Sequence, residues 1–303
     1  MKPKTMIKKA MVCCTSLLGP HLPVIAQQHW ICKHVTPLML DEQILPNTLV
    51  ERPLKGMGAK ILCNPHLYTH RMPYWCGRLY ETELENYLRQ NLNPGDTVID
   101  VGCNAGHISV LAAHLVGPGG RVIAFEPNHA LAERVMNFVE EKNLSQIKIY
   151  KFALGGEEAT GTLHLNRDDP GSSTLRSLGE DSGGAPGGFD TERSCEIRTG
   201  DEVLGTENLP GRVFLKVDVE GYETQVLEGM PRTLRSQVSH AVIEVTPRWL
   251  GGRKGVSGLF GLMADAGLSP HVLQPSGRIG PPLKAESIDE QVNVLFLRRP
   301  LEP

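Results

Sequence analysis

From Thr97 onward the apolar positions fall into short blocks whose period switches back and forth between strand and helix. Val98, Ile99 and Val101 form a compact run of β-formers, and Ile108 to Val116 continues as an apolar helix that Gly117-Pro118-Gly119-Gly120 brings to an end. Arg121 to Phe125 reads as the next strand, Leu131 to Lys142 as an amphipathic helix, and Ile147 to Lys151 as a third strand, with a strand-end loop at Ala153-Leu154-Gly155. Arg212 to Val217 is a fourth, buried strand that ends in two carboxylates and a glycine turn, followed by a short helix capped by Gly229. Ser239 to Val245 gives a fifth strand, and Val256 to Ala266 a helix stopped by Gly267. This rhythm predicts an α/β fold built on a doubly wound, mostly parallel sheet. The strand ends at 100–106, 126–128 and 153–155 then share one edge, where ligands bind.

Two regions depart from the rhythm. Residues 43–77 are rich in proline, aromatics and histidine, with weak alternation in Ala59 to Cys63, and predict a small N-terminal cap over the ligand-binding edge. Arg78 to Gln90 has helical spacing at Leu79, Leu84, Tyr87 and Leu88, and Asn93-Pro94-Gly95-Asp96 is a turn into the first strand. Between Gly155 and Thr199, Thr160 to Leu165 reads as an extra strand, Ser172 to Leu175 as a polar loop, and 179–190 as a flexible Gly-rich insertion. That insertion is either an acceptor-site lid or a tolerated long loop. The expected organisation is a leader over 1–42, a cap and helix over 43–92, and the main domain over 93–303.

Composition narrows the function. The 303 residues, 40% hydrophobic and 21% charged, suit one large α/β domain with a leading extension. A net charge of −3 gives no electrostatic footprint for nucleic acid, so no nucleic-acid partner is expected. The seven cysteines (Cys13, Cys14, Cys32, Cys63, Cys76, Cys103, Cys195) include no Cys-x-x-Cys pair, which argues against a zinc site or a disulfide framework and fits the reducing cytoplasm. The leader complicates this. Lys2, Lys4, Lys8 and Lys9 precede an apolar run from Ala10 to Leu18, and Val24-Ile25-Ala26 has the form of a signal-peptide cleavage site. Gly19, Pro20, His21 and Pro23 interrupt the segment, which favours a basic, helical leader in contact with a membrane surface over a cleaved signal. No run of about 20 apolar residues exists, so no transmembrane helix is expected.

The first strand runs into Asp100-Val101-Gly102-Cys103-Asn104-Ala105-Gly106-His107, a glycine-bounded turn where backbone must approach a ligand. Its spacing is wrong for a Gly-x-Gly-x-x-Gly dinucleotide fingerprint, and Gly-Lys-Ser/Thr of a phosphate loop is absent. The pattern resembles the glycine-rich motif of class I S-adenosylmethionine (SAM) methyltransferases, with Asn104 where a middle glycine often stands. That resemblance implies cofactor contacts at Gly102, Asn104 and Gly106, with Asp100 either orienting the loop or reaching the ammonium group of SAM; His107, in the first turn of the helix, is expected to cap it or to contact the cofactor. Glu126, about 25 residues after Asp100, closes the next strand where a carboxylate accepts both hydrogen bonds of a ribose diol. Asn128, Ala153 and Leu154 at the same edge join the expected cofactor set.

Lys216-Val217-Asp218-Val219-Glu220-Gly221-Tyr222-Glu223 is the most specific stretch. With Gly77-Arg78-Leu79-Tyr80-Glu81, Asn93 to Asp96, Ser172-Ser173, Thr199 to Asp201 and Val242 to Val245, it closely resembles the FkbM family of SAM-dependent methyltransferases over about Tyr80 to Leu297. The family resemblance implies a Rossmann-like class I methyltransferase sheet of seven strands, with Leu268 to Leu273 and Val292 to Arg298 as an antiparallel edge pair. It also implies methyl transfer to a hydroxyl of a sugar, glycan or secondary metabolite, with acceptor contacts at Tyr80, Glu81, Ser172 and Ser173. Asp218, at the end of the fourth strand, is the expected general base or metal ligand, with Glu220 and Glu244 beside it. Three converging carboxylates would suit Mg²⁺. Two rivals stand beside this reading: a non-catalytic SAM-binding protein, and a nicotinamide-dependent oxidoreductase on the same architecture.

Overall fold

The cap comes first along the chain and packs onto the sheet edge that carries the candidate loops. In the computed structural model, which describes residues 3–18, 21, 30–40, 44–166, 170–176 and 189–298, the leader forms helix α1 (Pro3–Leu18). One turn of π-helix, Ile31–Val35, continues into α2 (Thr36–Met39). The antiparallel hairpin β1 (Val50–Leu54) and β2 (Ala59–Cys63) follows, then α3 (Arg71–Cys76) and α4 (Thr82–Asn91). Buried Trp75 donates its indole N–H to Thr36 Oγ1 at 3.0 Å, tying α3 to α2. Helix α4 begins later than the expected Arg78 because the buried Glu85 carboxylate accepts the Leu79 backbone N–H at 2.7 Å and Arg78 Nε at 2.9 Å. This bond pair folds residues 78–81 into a turn instead.

The main sheet then builds outward from β3 (Thr97–Val101). α5 (His107–Val116) leads to β4 (Arg121–Phe125), and α6 (His129–Glu141) to β5 (Ile147–Tyr150). The chain leaves the sheet for a second, three-stranded one, in which β8 (Phe189–Arg198) lies between β6 (Ala153–Leu154) and β7 (Ala159–Asn166). It returns through α7 (Gly200–Leu204), β9 (Val213–Val217), α8 (Glu223–Glu228), α9 (Pro231–Ser236) and β10 (Val238–Val245). α10 (Arg253–Asp265), β11 (Leu268–Leu273), β12 (Ile279–Pro282) and β13 (Val292–Arg298) complete it. The strand order is β12-β11-β13-β10-β9-β3-β4-β5, parallel from β10 to β5 and antiparallel beyond β10.

The expected sheet is therefore present with one strand more than seven. β12 has no strand signature because Pro281 and Pro282 cannot donate to a ladder, which confines the segment to an outer edge. β8 is hidden because Asp190, Glu192, Arg193 and Glu196 give it the composition of a loop, and Ala153-Leu154, expected as a loop, forms a strand against it. The Gly-rich stretch up to 188 and Val24-Ile25-Ala26 lie outside the described residues, while 189 and 190, the last two residues of the expected insertion, already belong to β8. Among the described residues no helix is long and apolar enough to cross a membrane.

Alternation along each strand divides the core. Val98, Val122, Phe214 and Val242 face the helices α5 and α6 and share one apolar cluster with Met72, Trp75 and Leu84 of the cap. Ile99, Ile123, Leu215 and Ile243 face α8, α9 and α10. Period-two burial on both sides is what a parallel sheet wound in both directions requires. The parallel pair β3 and β9 is pinned at its start by Asp96, whose carboxylate accepts the backbone N–H of Asn93 at 2.8 Å and of Arg212 at 3.0 Å, and Arg212 Nη2 at 2.7 Å. Asp96→Ala is expected to cost about 2 kcal/mol, since it leaves several donors unpaired; urea denaturation measures this.

Candidate active site

At the carboxyl end of the parallel strands lies a cavity of about 320 Å³. It sits at the topological switch point, where the chain winds outward from β3 in one direction and from β9 in the other. The loops leaving these two strands touch: a Cβ on Gly102, whose φ is +79°, would stand 2.0 Å from the Asp218 carbonyl oxygen. Only glycine fits there. Asn104 sits at φ 51°, a conformation that asparagine tolerates better than most residues, which accounts for it in place of a glycine. Gly106 begins α5 with φ +74°, and a Cβ there would meet Val135 Cγ1 at 2.6 Å.

Glu126 ends β4 and is 7% exposed. Its Oε2 accepts the Asn104 N–H at 2.9 Å and its Oε1 the Asn128 N–H at 2.8 Å, which hold the carboxylate at the cavity wall with a lone pair of each oxygen still available. Burial raises its pKa to about 7. Ala153 and Leu154 line the wall beyond it with Leu163 and Leu175.

On the other side of the Gly102 loop the carboxylates converge. Asp218, Glu220, Glu244 and Glu81 all line the cavity, and the ligand oxygens of the first three lie within 4.8 Å of one another. Glu220 holds φ 57°, strain of about 1 kcal/mol for a residue with a Cβ, and is kept there by the tight turn that ends β9. Buried Glu223 fixes that turn by accepting the N–H groups of Val219 (3.2 Å) and Gly221 (3.0 Å). The counter-charge is Lys216. It sits in a fully buried strand, donates to the Gly102 carbonyl at 2.8 Å, and lies 3.3 Å from Asp218 Oδ2 and 3.6 Å from Asp100 Oδ1. Burial alone would lower the pKa of its ammonium; Asp218, Asp100 and Glu81 reverse this and hold it raised. One ammonium does not neutralise the group. Glu244, half-buried and beside Asp218 and Glu220, has its pKa pushed up to about 10 by desolvation and by these neighbours, and its buried Oε2 has no hydrogen-bond partner. Burial sets Glu81 and Glu223 to about 7.

Most of the expected site residues meet in this cavity, with three exceptions. Gly102, Asn104, His107, Glu126, Ala153 and Leu154 line it, as do Tyr80, Glu81, Ser172 and Ser173. Asp100 does not: it is fully buried under the loop, where Oδ2 accepts Ser109 Oγ at 2.6 Å and fastens the first turn of α5. Asn128 does not: it caps α6, its side chain accepting the Leu131 N–H. Gly106 also lies away from the lining, turned against Val135. His107 is fastened to the cap, its Nε2 bonded to the Leu62 carbonyl of β2, and its ring centroid is 4.6 Å from that of His70. Lys216, Arg176, Arg248 and Gln291 carried no expectation. A lysine between Leu215 and Val217 in an apolar strand was the signal available for the first.

A family model for the methyltransferase FkbM domain matches residues 100–268, more than half of the chain and including both loops. The chain belongs to the FkbM methyltransferase family. Hexuronic acid methyltransferase AglP of Haloferax volcanii is 29% identical over 167 residues, covering 54% of this chain and 62% of that protein. Methyltransferase 1 of Beauveria bassiana is 28% identical over 166 residues (50% and 66%). The 31-O-demethyl-FK506 methyltransferase FkbM of Streptomyces tacrolimicus is 30% identical over 181 (52% and 69%). The chain thus spans less than two thirds of the length of the first two relatives. The fold is marked by strand order.

The electrostatics of the site predict a pH dependence of stability. Glu81, Glu126 and Glu223 have folded pKa values of about 7 against 4.5 unperturbed. Across that window the folded chain holds protons that the unfolded chain has released, so stability falls as pH rises through it. The melting temperature is expected to be highest near pH 5 and to decline toward about pH 8. Glu223→Gln, which keeps the acceptor oxygen, should flatten that decline.

Proposed function

We propose that this chain is a SAM-dependent O-methyltransferase that acts in the cytoplasm on a hydroxyl of a small molecule or glycan. The observation that carries the reading is that a ribose-type acceptor, Glu126, and a carboxylate cluster, Asp218, Glu220 and Glu244, line one cavity on either side of the Gly102 loop. These residues fit the cofactor. Each oxygen of Glu126 retains a lone pair for a ribose hydroxyl, and the surplus of carboxylates over Lys216 suits a cationic sulfonium and ammonium. Two relatives, named for a hexuronic acid and for a 31-O position, support an oxygen acceptor on a sugar or secondary metabolite.

Bound SAM supplies an electrophilic methyl group with a thioether leaving group. The protein then has two tasks: holding the acceptor oxygen in line within a dry pocket, and taking its proton. Asp218 takes the second. Lys216 at 3.3 Å orients it, and its position at the end of β9 puts it next to the loop that would carry the methionine end. Glu81, with a pKa of about 7, is a second proton acceptor at neutral pH. Glu244 at about 10 retains its own proton, so it would donate to an acceptor oxygen unless a cation displaces that proton. The unpartnered Glu244 Oε2 and the close approach of the three carboxylates favour a second reading of the same cluster, a hard dication such as Mg²⁺.

Calorimetric titration with SAM and S-adenosylhomocysteine, with NAD as comparison, tests the cofactor. Binding of the first two near 1 μM, about −8 kcal/mol, and none of NAD is expected; binding of NAD alone would restore the oxidoreductase reading. Glu126→Ala should weaken SAM roughly tenfold or more. Wild-type affinity should rise with pH up to about 7 and then level off as Glu126 ionises. Asp218→Asn should bind SAM nearly as well and lose turnover; normal turnover would remove it as the base. A wild type that binds SAM and transfers nothing from it to any acceptor in a cell extract would be the non-catalytic protein. Turnover unchanged by a chelator would exclude Mg²⁺.

A further inference from the structure

Two arginines at the far end of the cavity have no part in the reaction just described. Arg176 and Arg248 both line it and both lie over the ring of Trp249, their guanidinium carbons 5.7 and 4.9 Å from its centroid. The trio is built on the carboxylate turn. Thr174 donates its hydroxyl to the Glu220 carbonyl at 2.7 Å and accepts the Arg176 N–H at 3.0 Å, so the segment carrying Arg176 is fastened to that turn. A Cβ on Gly221 would meet Arg176 Cδ and Trp249 Cβ at 2.9 Å each, so both side chains rest on this glycine. Neither guanidinium forms an ion pair with a carboxylate of the described residues, and the buried Nε of Arg176 has no hydrogen-bond partner. A guanidinium lying over an aromatic ring keeps its in-plane N–H groups free for a second partner. Two such guanidiniums lining one end of a cavity offer an oxyanion charge-assisted hydrogen bonds.

Resting on the methyltransferase reading, we infer that the acceptor itself carries an oxyanion, a carboxylate or a phosphate or sulfate ester, which Arg176 and Arg248 hold while the reacting hydroxyl points toward Asp218. The sheet sets the direction. Trp249 follows β10, three strand spacings from the β4 end where Glu126 stands, roughly 14 Å at the usual interval. A pair so far from the ribose position is available to the acceptor. The cavity floor holds more carboxyl groups than its one ammonium, whereas the Trp249 end carries two guanidiniums, so a negative group is drawn to that end. An anionic acceptor therefore enters in one orientation, and its neutral analogue loses both attachment and alignment.

The test begins with calorimetry of S-adenosylhomocysteine on the full chain, because loss of that binding would sink the methyltransferase reading itself. Transfer from methyl-labelled SAM is then measured on a panel of uronates, hydroxy acids, sugar phosphates and sugar sulfates, each beside its neutral hexose, amide or alcohol counterpart. Anionic members are expected to be accepted with KM at least about tenfold below their counterparts, and the panel separates carboxylate from phosphate or sulfate. Arg248→Gln, an exposed position that cannot endanger folding, and Arg176→Gln should each raise that KM about tenfold with a smaller change in kcat and unchanged S-adenosylhomocysteine affinity. Neutral members accepted equally well, no anionic member accepted, or variants that lose S-adenosylhomocysteine instead would each overturn the inference.

Discussion

A single buried ammonium organises this site. Lys216 reaches from the middle of a buried strand to the carbonyl of Gly102 and to Asp218, joining the loop after β3 to the turn after β9. It also lies 3.6 Å from Asp100, which holds the first turn of α5 through Ser109. Both halves of the doubly wound sheet thus meet through one charge. A buried charge without partners is expensive, so the carboxylates around Lys216 are required by its presence as much as they require it. The acids exceed it in number, and the excess defines the cavity: a region that wants further positive charge, whether from a sulfonium, a metal ion or a proton.

That excess explains the spread of pKa values. Glu244 is at about 10, Glu81, Glu126 and Glu223 are at about 7, and burial is the first cause in each case. Similar side chains therefore take different protonation states, because Lys216 offsets burial at Glu81 and Glu126, backbone N–H groups offset it at Glu126 and Glu223, and neighbouring carboxylates add to it at Glu244. Ionising these buried groups costs stability, because the folded chain holds their protons more tightly than the unfolded chain does.

The cap is part of the same construction. Its apolar residues share a core with the α5 face of the sheet, and the bond from His107 to Leu62 fastens α5 to β2. The Glu85 carboxylate ends the turn that carries Tyr80 and Glu81 into the cavity, where Asn293 of β13 donates to Glu81 at 3.2 Å. Residues more than two hundred positions apart thereby meet at the cavity.

Local patterning carries a large part of this molecule. Apolar runs of strand and helix period, the glycines at 102 and 106, and a carboxylate at the end of β4 are short-range signals, because each reflects the needs of a turn or a strand end. The α/β class, the parallel strands of the main sheet and the position of Glu126 follow from these signals alone. Tertiary packing decided the rest. Asp100 has the same local context as a cofactor ligand, but the loop folds over it and it holds Ser109 instead; Asn128 is taken by a helix cap. The polar strand β8 and the proline-rich β12 have no local propensity and exist because a neighbouring edge was available. The meeting of Arg176, Arg248 and Trp249 over Gly221 has no sequence signature, since contacts between segments about 70 residues apart depend on how the sheet is wound and not on spacing along the chain.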